Sequence, residues 1–164
     1  MASFEFLAII LTGLGLTASI FYYAIVLQNT NKTRQMQMIL NIQSDRSKKE
    51  GILRYVNAMN MEWEDYEDFH HQYGMAENPE KFSEWYSYLT KFDDFGYMLK
   101  RGLIDLETMY EVSFPSIVYL WHKFEPIFIE RRKQSEHSKT EMLWFQHIAE
   151  ELERFAENKG VTLQ

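Results

Sequence analysis

The sequence predicts an all-α protein, with one N-terminal transmembrane helix followed by a cytoplasmic helical bundle of about four or five helices. Three observations carry this. Phe6 to Leu27, FLAIILTGLGLTASIFYYAIVL, is an uninterrupted apolar run without one charge. At about 1.5 Å per residue it makes a helix of roughly 33 Å, the hydrocarbon thickness of a bilayer. Beyond it, apolar residues recur every three or four positions between cap and glycine signals, and no stretch alternates convincingly with the period of two that a half-buried strand requires. Finally, aromatics make up 16% of the chain and cysteine is absent. The residues after the run therefore form one packed domain without disulfides, in keeping with a reducing compartment.

Residues 1–5 form a short N-terminal tail and residues 6–27 the span. A cleaved signal peptide is the rival reading, and it wants a basic leader, an apolar core of about 7–15 residues and a small-residue cleavage site. Here the leader holds Glu5 and no Lys or Arg, and Thr17-Ala18-Ser19 lies inside the run, so cleavage would leave Ile20 to Leu27 as an apolar terminus. These features favour an uncleaved anchor. Lys32, Arg34, Arg46, Lys48, Lys49 and Arg54 follow the span, whereas only Glu5 and the terminal amine precede it. Positive charge stays inside, so the N-terminus is expected outside and the C-terminal domain in the cytoplasm. Within the span, Gly13 with Thr17 and Gly15 with Ser19 give two small-xxx-small pairs, the candidate face for packing against a second helix. Tyr22 and Tyr23 suit the headgroup belt.

Residues 28–47 form a juxtamembrane helical segment, since Gln28 to Ile42 lacks Gly and Pro and places Met36, Ile39 and Leu40 at helical spacing. The domain proper covers 48–159. Its first helix is expected over Lys48 to Tyr73, with Ile52, Leu53, Val56, Met59, Trp63, Tyr66 and Phe69 in phase, ending at Gly74. Asn78-Pro79-Glu80 reads as N-cap, N1 proline and first-turn acid, and opens a helix that Lys100-Arg101-Gly102 closes. Asp105 caps another, which Ser113-Phe114-Pro115 interrupts. Ile117 to Arg132 continues, with a kink expected at Pro126. Ser138-Lys139-Thr140-Glu141 has capping-box spacing before a last helix that Gly160 terminates, leaving 160–164 as a tail.

Charge comes in blocks. Residues 28–61 carry six basic and two acidic side chains, and 62–99 carry two basic and ten acidic. A net charge of −7 argues against nucleic acid as a partner, because phosphates require a basic surface. The basic block next to the span offers Lys32, Arg34, Lys48 and Lys49 as candidate lipid-headgroup contacts, against the plainer reading of orientation bias on a solvated surface.

Catalytic signatures are missing: there is no Gly-rich phosphate loop, no His-Glu-x-x-His and no Gly-x-Ser-x-Gly. No catalytic residue and no cofactor is expected. The densest polar patch is Glu62 to His71, five carboxylates and two imidazoles, with Glu67 and His70 in the Glu-x-x-His spacing that projects metal ligands from one helical face. Glu67, His70 and His71 are the metal candidates. A di-metal site needs a second such motif, yet the residues three before His122, His137 and His147 are Tyr119, Gln134 and Trp144. The alternative is a solvated acidic face with Trp63, Tyr66 and Phe69 on its core side. Asp93-Asp94 and Lys100-Arg101 read as helix-surface charges. Arg131-Arg132-Lys133 reads as a cationic helix end, with a phosphate or acidic partner as the sharper option.

The span with Tyr22-Tyr23-Ala24, then Asn31-Lys32-Thr33-Arg34-Gln35, Trp63 to Phe69 with Tyr73-Gly74, Gly102-Leu103-Ile104-Asp105, and Trp121 to Pro126 followed by Arg131-Arg132 together resemble an uncharacterised prokaryotic family of small membrane-anchored helical proteins, catalogued as a domain of unknown function. The resemblance covers nearly the whole chain and implies no activity, so it transfers no catalytic residue. The expected function is that of a single-pass interaction, accessory-subunit or regulatory protein at the cytoplasmic membrane face. Its partners are the membrane and a protein, either another polypeptide or a second copy. The alternative is a metal-binding or enzymatic helical domain built on Glu62 to His71.

Overall fold

A computed structural model of the chain describes residues 2–134 and 136–161, and among them every regular element is helical. The chain divides into two compact units, Met1–Ile42 and Gln43–Gln164.

The first unit is the body of α1 (Ala2–Ser47), whose last residues belong to the second. Helix therefore begins inside the expected tail and continues through the juxtamembrane segment. Along the apolar run the side chains point away from any protein core: Phe6, Ile9, Leu16 and Leu27 are 63 to 69% exposed. The hydroxyls turn back on their own helix, Thr12, Thr17 and Ser19 donating to the carbonyls of Ala8, Gly13 and Gly15 at 2.8 Å. Such bonds satisfy a polar group where its surroundings provide no partner.

Among its described residues the second unit holds six α-helices, α2 (Lys49–Met59), α3 (Tyr66–Tyr73), α4 (Pro79–Lys100), α5 (Leu106–Ser113), α6 (Ser116–Gln134) and α7 (Leu143–Asn158), with a 3-10 turn at Glu136–Ser138. The expected count of four or five is corrected because the stretch 48–73 is two helices, broken between Met59 and Tyr66. Asp65 causes the break. Its carboxylate accepts the Asp68 N–H at 2.9 Å, while the Asp68 carboxylate reaches back to the Glu64 N–H at 3.0 Å, a reciprocal cap that starts α3 anew. Trp63 packs edge-on against Phe69 at 5.0 Å across the cap, so the apolar phase survives the interruption and conceals it in the sequence.

Other termini follow the expected chemistry. Asn78 and Asp105 accept the N–H groups of Lys81 and Thr108, and α4 and α7 end before the left-handed glycines Gly102 and Gly160. A turn at Phe114-Pro115 separates α5 from α6, and α6 passes through Pro126 uninterrupted.

At the centre, α7 packs on α4, α5 and α6. Leu89, Met109, Ile117, Leu120, Phe124, Phe128, Phe145, Ile148 and Leu152 are fully buried, each contributing about 1.5–3 kcal/mol by leaving water. Helices α4 and α7 approach most closely at Gly96, where an added Cβ would stand 1.8 Å from the Trp144 carbonyl oxygen. Trp85 belongs to this core at 4% exposure, its indole N–H donating to the Tyr73 carbonyl at 3.0 Å.

Candidate functional site

The acidic and histidine segment is the first place the sequence directs attention. Two of its carboxylates are consumed by folding: Asp65 and Asp68 form the α3 cap, and Asp68 also accepts Gln72 Nε2 at 2.9 Å on both oxygens. Hydrogen bonds from Gln72 and from the Glu64 N–H hold the Asp68 carboxyl below its usual range. Glu67 and His71 lie exposed on α3, and His70 is half-buried with its ring 6.3 Å from that of Tyr66. Tyr66 donates to Gln134 at 3.1 Å. Among the described residues no three His, Asp or Glu side chains converge to hold a metal ion.

Buried polar chemistry sits elsewhere, where α4, α6 and α7 meet. Arg131 clamps Glu141 in a bidentate pair, Nε to Oε2 and Nη2 to Oε1 both at 2.9 Å, beneath the rings of Phe82 and Tyr86. Arg132 donates to the Glu141 carbonyl at 2.7 Å and to Gln146 Oε1 at 2.6 Å, with its guanidinium over Trp121. Both arginines turn inward, Arg132 keeping a buried Nη2 without a partner, and Lys133 is the outward part of that cationic helix end.

The expected capping box at Ser138 to Glu141 is also corrected. Met142 precedes α7 in the left-handed region, at φ 54°, without a side-chain cap. The cap comes from another helix: Asp93 of α4 accepts the N–H groups of Trp144 and Phe145, both at 2.9 Å. Burial raises the Asp93 carboxyl, and these two donors pull it back. Nothing in the sequence separates Asp93 from a surface acid, because its partners lie some fifty positions away.

Two exposed features remain. On α2, Ile52, Leu53 and Val56 are 40 to 53% exposed, among the exposed cations Lys48, Lys49 and Arg54. On α1, Lys32 and Arg34 are exposed beyond the apolar run, and Gly13 and Gly15 have open space where a side chain would be.

The profile of a family described as a domain of unknown function (DUF4760) matches residues 6–158. The chain belongs to the DUF4760 family. The match begins at the first residue of the apolar run and ends at the last residue of α7, so one family domain contains both the long apolar helix and the helical unit. No curated protein and no solved structure matches the chain.

Proposed function

We propose that this DUF4760 protein is a single-pass membrane protein whose helical unit serves on the cytoplasmic side as an interaction, accessory-subunit or regulatory module. One observation carries the reading: the apolar run lies on a helix whose side chains there are exposed, and 22 such residues in water would be untenable. The inclusion of the run in the family match supports its retention as part of the domain. Cations after the run and an acid before it support the cytoplasmic placement.

Lys32 and Arg34 follow Leu27 by one to two turns and are the cations best placed for headgroups. The first unit continues to Ile42, adding roughly 22 Å of helix after Leu27, against a screening length of about 8 Å. Lys48 and Lys49, exposed at the start of the second unit, remain the other two headgroup candidates.

The test is the mass and composition of the particle released from native membranes by mild detergent. A stoichiometric second polypeptide, or a defined homo-oligomer, supports the interaction role. A lone monomer overturns it, and recovery of the chain in the soluble fraction before detergent overturns the anchor.

A further inference from the structure

Within the second unit, a pocket of about 120 Å³ lies between the last turn of α1, α2, α4 and the α5–α6 junction. Ile52, Phe92 and Ile117 give it apolar walls, and Gly51 lets α2 come close to that turn, since a Cβ there would stand 2.0 Å from the Asp45 carbonyl oxygen. Its polar side chains are one guanidinium and four hydroxyls, all able to donate. Arg46 donates from Nη1 to the Val112 carbonyl and from Nη2 to Ser116 Oγ at 3.3 Å, which leaves three of its five N–H groups. Among the described residues Arg46 has no carboxylate partner, and its neighbour Asp45 is held by Lys91 at 2.5 Å. Ser113 is 1% exposed and its hydroxyl has no partner. Ser116 accepts from Arg46 and keeps its own hydrogen to donate.

Tyr55 and Tyr88 complete the lining, and no hydrogen bond engages either phenol among the described residues. Burial pushes the Tyr88 phenol up to about 12, so it stays a neutral donor. Ser116 and Ile117 are also the first two residues of α6, where backbone N–H groups lack intrahelical partners and the helix dipole is positive. A guanidinium and a positive helix end thus converge with unpaired hydroxyls, and none of the described lining residues is acidic. The Val112 carbonyl, the C-terminal ends of α1 and α5 and the Lys91-paired Asp45 carboxylate oppose that positive potential, so Arg46 is the formal counter-charge on which binding depends.

We propose that this pocket binds a small oxyanion, a phosphate or carboxylate group, with Arg46 as counter-charge and Ser113, Ser116 and the first turn of α6 as donors. Its volume of about 120 Å³ has room for one such group.

The experiment is calorimetric titration of the full chain in non-ionic detergent at pH 7 with sodium phosphate and, separately, sodium acetate, against sodium chloride at matched ionic strength. Saturable binding of either anion is expected, and the arm that responds separates phosphate from carboxylate. Arg46→Gln should weaken it roughly tenfold to a hundredfold, the loss of charge-assisted hydrogen bonds. Ser113→Ala should weaken it roughly threefold to tenfold while holding or raising the Tm, because it removes a buried hydroxyl without a partner. If Arg46→Gln does not fold, Ser113→Ala decides alone. No saturable binding by the folded chain overturns the proposal, as does binding that Ser113→Ala leaves intact or that Lys48→Gln with Lys49→Gln abolishes. Either of the last two results would leave a water-filled pocket and surface attraction.

Discussion

Asp93 illustrates how one residue can organise an element distant in sequence. Its carboxylate replaces the missing cap of α7, so Asp93→Ala should cost about 1–2 kcal/mol of stability, read as a lower midpoint in denaturant titration. Asp93→Asn, which keeps an acceptor oxygen, should lose less, and equal losses would remove the capping role. Tyr88 makes a prediction in pH. Its folded pKa is raised above the unfolded value near 10. The stabilisation it contributes is therefore complete below pH 10 and fades as pH rises towards 12. Tyr88→Phe should flatten the fall of Tm with pH across that window, and an unchanged slope would assign the alkaline loss to other groups.

At the scale of elements, α4 and α7 depend on the absence of a side chain. Gly96→Ala would drive a Cβ into the Trp144 carbonyl, backbone against backbone, so a loss near 3 kcal/mol is expected by thermal melting. Glu141 ties the 139–142 loop to α6 through both arginines. Glu141→Ala should cost about 2–3 kcal/mol, since it leaves Arg131, at 22% side-chain exposure, without its partner. A milder effect would mean that solvent already screens the pair. Most helix boundaries were legible because caps are local: Asn78, Asp105, Gly102 and Gly160 act within four residues of where they stand. The two failures, the α3 break and the α7 start, have different causes. Asp65 and Asp68 are a local cap hidden under continuous apolar phase, whereas α7 is capped from α4.

The apolar run governs the behaviour of the whole molecule. The natural chain has no cysteine, so a single one introduced at Ser3 or at Asn158 reports sidedness without background. In sealed inside-out bacterial membrane vesicles, an impermeant maleimide should label the Asn158→Cys protein and spare the Ser3→Cys protein until detergent is added. The reverse pattern would invert the topology, and labelling at both sites would argue against a span. Alkaline carbonate should leave the full chain in the pellet.

Helical content, the long apolar helix and the likeness to an uncharacterised family were legible in the chain, because they live in runs, periods, caps and short motifs. What the polar residues do emerged only once the helices were packed together. Packing turned Asp93 from a surface acid into a cap, Arg131 and Arg132 from a cationic end into an internal clamp, and Arg46, Tyr88, Ser113 and Ser116 from scattered positions into one pocket. Burial and hydrogen-bond partnership arise between helices, at separations that no local pattern encodes.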